Sequence, residues 1–223
     1  MSLEHSGVIS PPRFPRLLIV EDNVSITTRL IRTLEDRRLH LGFALCTSHR
    51  QAVSQLVASP YQVIIGNAHL AEMDDRLLLN RIDLLQGSVP LVITASPFEK
   101  ECARRVLEQR AFDLIPTPID HEQAVSPILL ALRQSKVANL IASKDKTMEK
   151  YREHRTAYPS GNEMDAFFIK TLSAIDASIR AYEKTLGGVE ASAMGFSNVA
   201  KAMEYRTKQR ALARLDLFGR KAF

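Results

Sequence analysis

Between residues 16 and 116, short unbroken apolar runs alternate with stretches whose apolar residues recur every three or four positions. The runs are Arg16–Val20, Gly42–Cys46, Gln62–Ile65, Pro90–Thr94 and Asp113–Ile115. Continuous rather than alternating hydrophobicity predicts strands covered on both faces, as in a parallel sheet. Between them, Ile26, Leu30, Ile31 and Leu34 form one helical face, and Ala52, Val53, Leu56 and Val57 form another. Leu77, Leu78, Leu79 and Ile82, then Ala103, Val106 and Leu107, supply two more. Five such repeats predict an α/β domain with a right-handed, doubly wound parallel sheet. Ligands of these sheets sit at the carboxyl ends of the strands, so the residues following each strand matter most.

The pattern changes at His121, after which no strand is predicted. Val125, Ile128, Leu129, Leu132, Val137, Leu140 and Ile141 are spaced for a helix reaching about Tyr151. Residues 159–162 (Pro-Ser-Gly-Asn) read as a loop. Phe168, Leu172, Ile175, Ile179, Tyr182 and Leu186 then alternate steps of four and three, the spacing of a coiled-coil seam. Gly187-Gly188 closes that helix. A basic, loosely amphipathic helix is expected from Val189 to Leu217. The expected divisions are a flexible tail at 1–14, the α/β domain at 15–121 and an all-helical dimerisation or output region at 122–223.

Charge separates the same two halves. Residues 1–121 hold 13 Lys+Arg against 14 Asp+Glu, and residues 122–223 hold 17 against 11. An anionic partner would therefore meet the second half. Cys46 and Cys102 lie in apolar segments and are expected as buried free thiols. No apolar run approaches the roughly 20 residues of a membrane span. The opening MSLEHSGVISPPRFP lacks the apolar stretch of a signal peptide, so a cytoplasmic location is expected.

The candidate chemistry begins at Glu21-Asp22-Asn23, directly after the first run. Adjacent carboxylates there suit either a cation site or a helix N-cap at Asp22 or Asn23, and the pair alone does not decide. The segments LLIVEDN, YQVIIGNAHLAEMDD, PLVITA and AFDLIPTPID, in this order, closely resemble the conserved stretches of two-component response-regulator receiver domains, the CheY-like family. The resemblance covers about residues 15–130 and implies a flavodoxin-like (βα)5 sheet followed by the helical region.

What the resemblance implies for the site is a degenerate receiver. The family's acidic pair falls on Glu21 and Asp22, and its switch Ser/Thr falls on Thr94. The phosphoacceptor Asp is replaced by Asn67, the phosphate-pairing Lys by Thr117 and the switch aromatic by Leu114. Arg110 stands where glycine is common, and Ala71 replaces a loop proline. An amide is a poor nucleophile, and Thr117 brings no positive charge to a phosphoryl group. Any Mg²⁺ at Glu21 and Asp22 is expected to be held weakly, with one ligand fewer than a full site; no other cofactor is expected. Asp74 and Asp75 read as helix caps, His69 as polar filler in a loop, and His154 as at most a faint match to a sensor-kinase histidine box.

No phosphate loop, metal cluster or catalytic triad points to an enzyme. The sequence thus reads as a signal-transduction regulator, a pseudo-receiver that works through protein contacts and forms a homodimer through the helical half, unless the Phe168–Leu186 seam packs as a core stripe within one chain. The alternative is a phosphorylation-independent DNA-binding regulator. There the segment 193–197 would enter a helix-turn-helix, and Arg206, Lys208, Arg210 and Arg214 would meet phosphates. Lys201 and Glu204 fall where that motif needs apolar residues, so DNA is not favoured.

Overall fold

A computed structural model describes residues 16–38, 41–69, 77–87, 89–158, 163–185 and 207–216. The strands are β1 (Arg16–Val20), β2 (Gly42–Cys46), β3 (Val63–Asn67), β4 (Leu91–Ala95) and β5 (Asp113–Pro116). They form one parallel sheet in the order β2-β1-β3-β4-β5. Its helices are α1 (Val24–Asp36), α2 (His49–Ala58), α3 (Leu77–Gln86), α4 (Lys100–Gln109) and α5 (His121–Ala157). This is the doubly wound parallel sheet that the apolar runs predict, in the flavodoxin-like arrangement that the resemblance implies. β3 and β4 each reach two residues or one residue further than those runs, because Asn67 and Ala95 still pair across the sheet.

The sheet separates two cores. On one side Leu18, Val20, Leu56, Ile64, Ile82, Ile93, Val106 and Leu107 pack beneath α2, α3 and α4. On the other, Leu17, Ile19, Leu30, Leu34, Ile65, Val92, Ala124 and Ile128 pack beneath α1 and α5. Val57, expected on the apolar face of α2, is instead 69% exposed, since Ala52 and Leu56 already fill that contact. Cys46 is buried as expected, while Cys102 is half-buried and directs its thiol to the Ala68 carbonyl at 3.2 Å. Arg110 ties the end of α4 to the end of α3 by pairing with Asp83 and donating to the Gly87 and Val89 carbonyls at 3.0 and 2.8 Å. That bracing is a use for a long side chain where the family often has glycine.

α5 exceeds its expected end by six residues. Its 37 residues span about 55 Å, starting in the sheet core and continuing well beyond it. α6 (Glu163–Thr185) folds back along the projecting part. Arg155 meets Asp165 at 2.9 Å, Tyr151 meets Phe168 with ring centroids 5.5 Å apart, and Lys144 meets Asp176 at 2.7 Å. The pairing is therefore an antiparallel hairpin. It uses the Phe168–Tyr182 seam within one chain, with Ile179 fully buried and Val137 on α5 covered. Leu186, Gly187-Gly188 and the loop at 159–162 lie outside the described residues, as does the 1–14 tail.

The expected division at 121/122 falls at the start of α5, whose Ala124, Ile128 and Ala131 belong to the sheet core. A second crossing comes from the far end of the chain. Residues 207–216 form a helix, α7, whose Ala211 and Leu215 are fully buried in the core beside α4.

Candidate functional site

The carboxyl ends of β1, β3 and β4 bring Glu21, Asn67 and Thr94 together. Asn67 and Thr94 are register partners in adjacent strands, and Val20, just before Glu21, is paired with Gly66. All three side chains are buried: Glu21 is 5% exposed, Asn67 9% and Thr94 1%. The sheet makes these three residues one cluster.

The hydrogen bonds of that cluster have a single consistent assignment. The backbone N–H of His69 donates to Asn67 Oδ1 at 2.8 Å. A backbone N–H can only donate, so the amide oxygen must face His69 and the amide nitrogen must face Glu21. Asn67 Nδ2 indeed donates to Glu21 Oε1 at 3.2 Å, with Oε2 at 3.5 Å. Thr94 Oγ1 donates to Glu21 Oε2 at 2.8 Å, and the Asn23 N–H donates to Oε1 at 3.1 Å. Burial raises the pKa of Glu21 above the usual carboxylate range; the bonds from Thr94, Asn23 and Asn67 oppose that rise, and neighbouring Asp22 adds to it.

Asn23, not Asp22, caps α1, its Oδ1 accepting from the Ser25 and Ile26 N–H groups at 3.0 and 3.3 Å. Asp22 is left exposed beside the cluster. Asn67 turns a hydrogen-bond donor toward Glu21, where the family's third carboxylate ligand would present oxygen. The arrangement therefore does not fit a divalent cation held in the family's manner. Among the described residues no group of three or more His, Cys, Asp or Glu is placed to hold a metal ion.

Two further expected positions lie in β5 and directly after it. Leu114 is fully buried in β5. Thr117 is 8% exposed, follows β5 directly and donates its N–H to the Ala95 carbonyl at 2.8 Å; the Thr117–Pro118 bond is cis. His69 is exposed next to the cluster, and Ala71, Asp74 and Asp75 lie outside the described residues. His154 is far along α5, packed against Phe168 and Tyr158 with centroids 5.7 and 5.1 Å away. Its surroundings are those of a hairpin residue.

A second buried carboxylate escaped the sequence reading. Asp113, at the start of β5, is 1% exposed and pairs with Arg214 of α7. Burial pushes its carboxyl from the ordinary 3.8 up to about 6, even though Arg214, the Leu114 N–H and Arg210 all pull it down. An acidic residue opening an apolar strand was the available signal, together with the i, i+4 spacing of Ala211 and Leu215. Of the basic residues considered for phosphate contacts, Lys208 donates instead to the Glu108 carbonyl at 2.7 Å and Arg214 is spent on Asp113. Arg206, Lys201, Glu204 and the 193–197 segment lie outside the described residues.

Comparison with known proteins agrees with this geometry. No family model matches the chain. The transcriptional regulatory protein ZraR of Escherichia coli K12 is 28% identical over 116 residues, 52% of this chain and 26% of that protein. Its Salmonella typhimurium counterpart is 27% identical over 120 residues, 54% of this chain and 27% of its own. The chain thus matches about a quarter of the length of these curated relatives. The signal receiver domain of an HD domain-containing protein from Pseudomonas fluorescens Pf-5 superposes with a TM-score of 0.51 at 21% identity, over 60% of this chain and 97% of that one. NtrX from Brucella abortus gives 0.52 at 18% identity, over 65% of this chain and 34% of its own. No described helix is long and apolar enough to cross a membrane. Together with the clustered strand ends, these likenesses establish that the sheet half of this chain has the CheY-like receiver fold of two-component response regulators.

Proposed function

We propose that this chain is a cytoplasmic signalling regulator whose receiver fold is a docking module and does not accept phosphate. The observation that carries the reading is the Asn67 amide, fixed by the His69 N–H and donating to Glu21. In a receiver that works by phosphoryl transfer this position supplies the nucleophile, and the neighbouring carboxylates need a cation to offset their repulsion. Here a neutral donor satisfies Glu21 directly, so the cluster is complete without metal. Thr117 contributes no charge to pair with phosphoryl oxygens, and Leu114 supplies no aromatic ring to follow Thr94.

Incubation with acetyl phosphate and Mg²⁺ followed by intact mass measurement tests this reading. The expected result is an unchanged mass. A stoichiometric, hydroxylamine-labile gain of one phosphate would overturn it. Asn67→Asp alone should recover little transfer, because the phosphoryl charge still lacks its counter-ion at Thr117.

Output through protein contact and self-association belongs to the same reading. α5 leaves Phe168, Leu172 and Ile175 only half-buried, and Met164, Phe167 and Ile169 remain 49, 60 and 55% exposed. A second hairpin covering them would make a four-helix dimer. Light scattering that shows a monomer at tens of micromolar would remove the dimer from the proposal. The name of the ZraR relatives favours a second reading, DNA binding. Duplex DNA affinity falling steeply with salt would support it; the engagement of Lys208 and Arg214 by the receiver speaks against it.

A further inference from the structure

The C-terminal helix α7 lies antiparallel to α4 across the edge of the sheet. Lys208 reaches the last turn of α4 through the Glu108 carbonyl, while Asp216 meets Arg104 and, at 3.8 Å, Lys100 near the start of α4. Arg214 reaches across to Asp113 on β5. Ala211 and Leu215, one turn apart, are the fully buried apolar anchors between these charges, with Leu212 packed partly against the same core. Charges of both signs thus fix the register: a cation at the carboxyl end of α4, an anion over its basic amino half, and a guanidinium over β5.

This contact is local and strongly conditional. Only two of the described apolar side chains of α7 are fully buried, whereas every residue of β3 and β4 is buried. Its sequence separation from α4 and β5 is about a hundred residues, and 21 residues lie between Thr185 and Thr207. Opening it would uncover a defined groove with Asp113 at its floor and remove the outer support of α4 and β5, while β1 and β3 stay paired.

We propose that residues 207–216 are a displaceable clasp that masks the α4–β5 face of the receiver from other proteins. In the closed chain that face is occupied in cis, and a protein partner gains access when the clasp leaves. The clasp acts independently of the chemistry at Asn67, since its described polar contacts go to Glu108, Arg104, Lys100 and Asp113.

Hydrogen exchange on the full-length chain tests the idea, with Leu215→Asp as the opened form. In the wild type, segments 100–116 and 207–216 should share one intermediate protection, at least tenfold lower than that of β3. In Leu215→Asp both should lose protection together, while β1 and β3 keep theirs. No protection of 207–216 in the wild type, or protection equal to that of β3, would overturn the proposal. Arg214→Ala, which keeps the apolar anchors, should give a smaller loss in the same two segments and guards against a folding defect. A fluorescein-labelled peptide of residues 204–218 gives the second readout. It should bind Leu215→Asp at least tenfold more tightly than the wild type; equal binding to both, or binding to neither, would count against a vacated groove.

Discussion

Glu21 and Asp113 are both carboxylates buried against an apolar sheet, yet they are satisfied in opposite ways. Glu21 receives three neutral hydrogen bonds, from Asn67, Thr94 and the Asn23 backbone, all anchored at adjacent strand ends. Asp113 depends on a guanidinium from a helix about a hundred residues away in sequence. Burial raises both carboxyls, so in neither place does the surrounding polarity fully offset the loss of water. The first network is closed by the sheet itself and holds for as long as the sheet does. The second exists only while α7 stays in place. A site that looks like a place for chemistry is thus the settled one, and an unremarked strand residue marks where the molecule can open.

The largest expected effect separates the two by pH. The carboxyl of Asp113 titrates near 6 in the folded chain against an ordinary 3.8, so the folded form binds this proton more tightly. The stability this group contributes is fully present below about pH 4 and is lost as pH rises through about 6, a change of about 3 kcal/mol. Asp113→Asn removes that dependence. In urea denaturation at pH 4 through 7, the variant should gain about 3 kcal/mol relative to the wild type as pH rises. A difference that stays constant across that range would show that Asp113 is not desolvated as described.

Next in size is Asn67→Asp, which turns a donor into a second carboxylate beside Glu21. It should cost about 2 kcal/mol at pH 7 without divalent cation, because two buried carboxylates then share one site. Millimolar Mg²⁺ should restore much of this in the variant and leave the wild-type melting curve unchanged. A wild type stabilised by Mg²⁺ as strongly as the variant would mean that Glu21 and Asp22 hold the ion without a third carboxylate.

Thr94→Val removes a single donor to Glu21 and should cost about 1 kcal/mol, measured the same way. The smallest effect is expected from Lys208→Met, a few tenths of a kcal/mol, since a partly exposed cation at a helix end is well screened. If Lys208→Met cost more than Thr94→Val, the ranking of settled network over conditional clasp would be reversed.

The strand positions, and with them the cluster at their carboxyl ends, were legible because they rest on local pattern. A buried parallel strand needs an unbroken apolar run, and right-handed crossovers then force Glu21, Asn67 and Thr94 to one end of the sheet. The spacing of Phe168 through Tyr182 likewise announced a helix with one apolar seam. What covers that seam was open in the sequence, and the fold answered with α5 of the same chain, because a short return places Asp165 against Arg155 and Asp176 against Lys144.

Other features were decided by tertiary structure alone. The orientation of the Asn67 amide follows from the His69 N–H, whose direction depends on how the chain leaves β3. α5 serves both the sheet core and the hairpin, and no composition change marks a helix that belongs to two cores. The basic stretch that contains residues 207–216 carried no sign in the sequence of what it meets, because a pair such as Arg214 and Asp113 is made only when two distant segments meet, and local periodicity carries no information about which surface a helix will find.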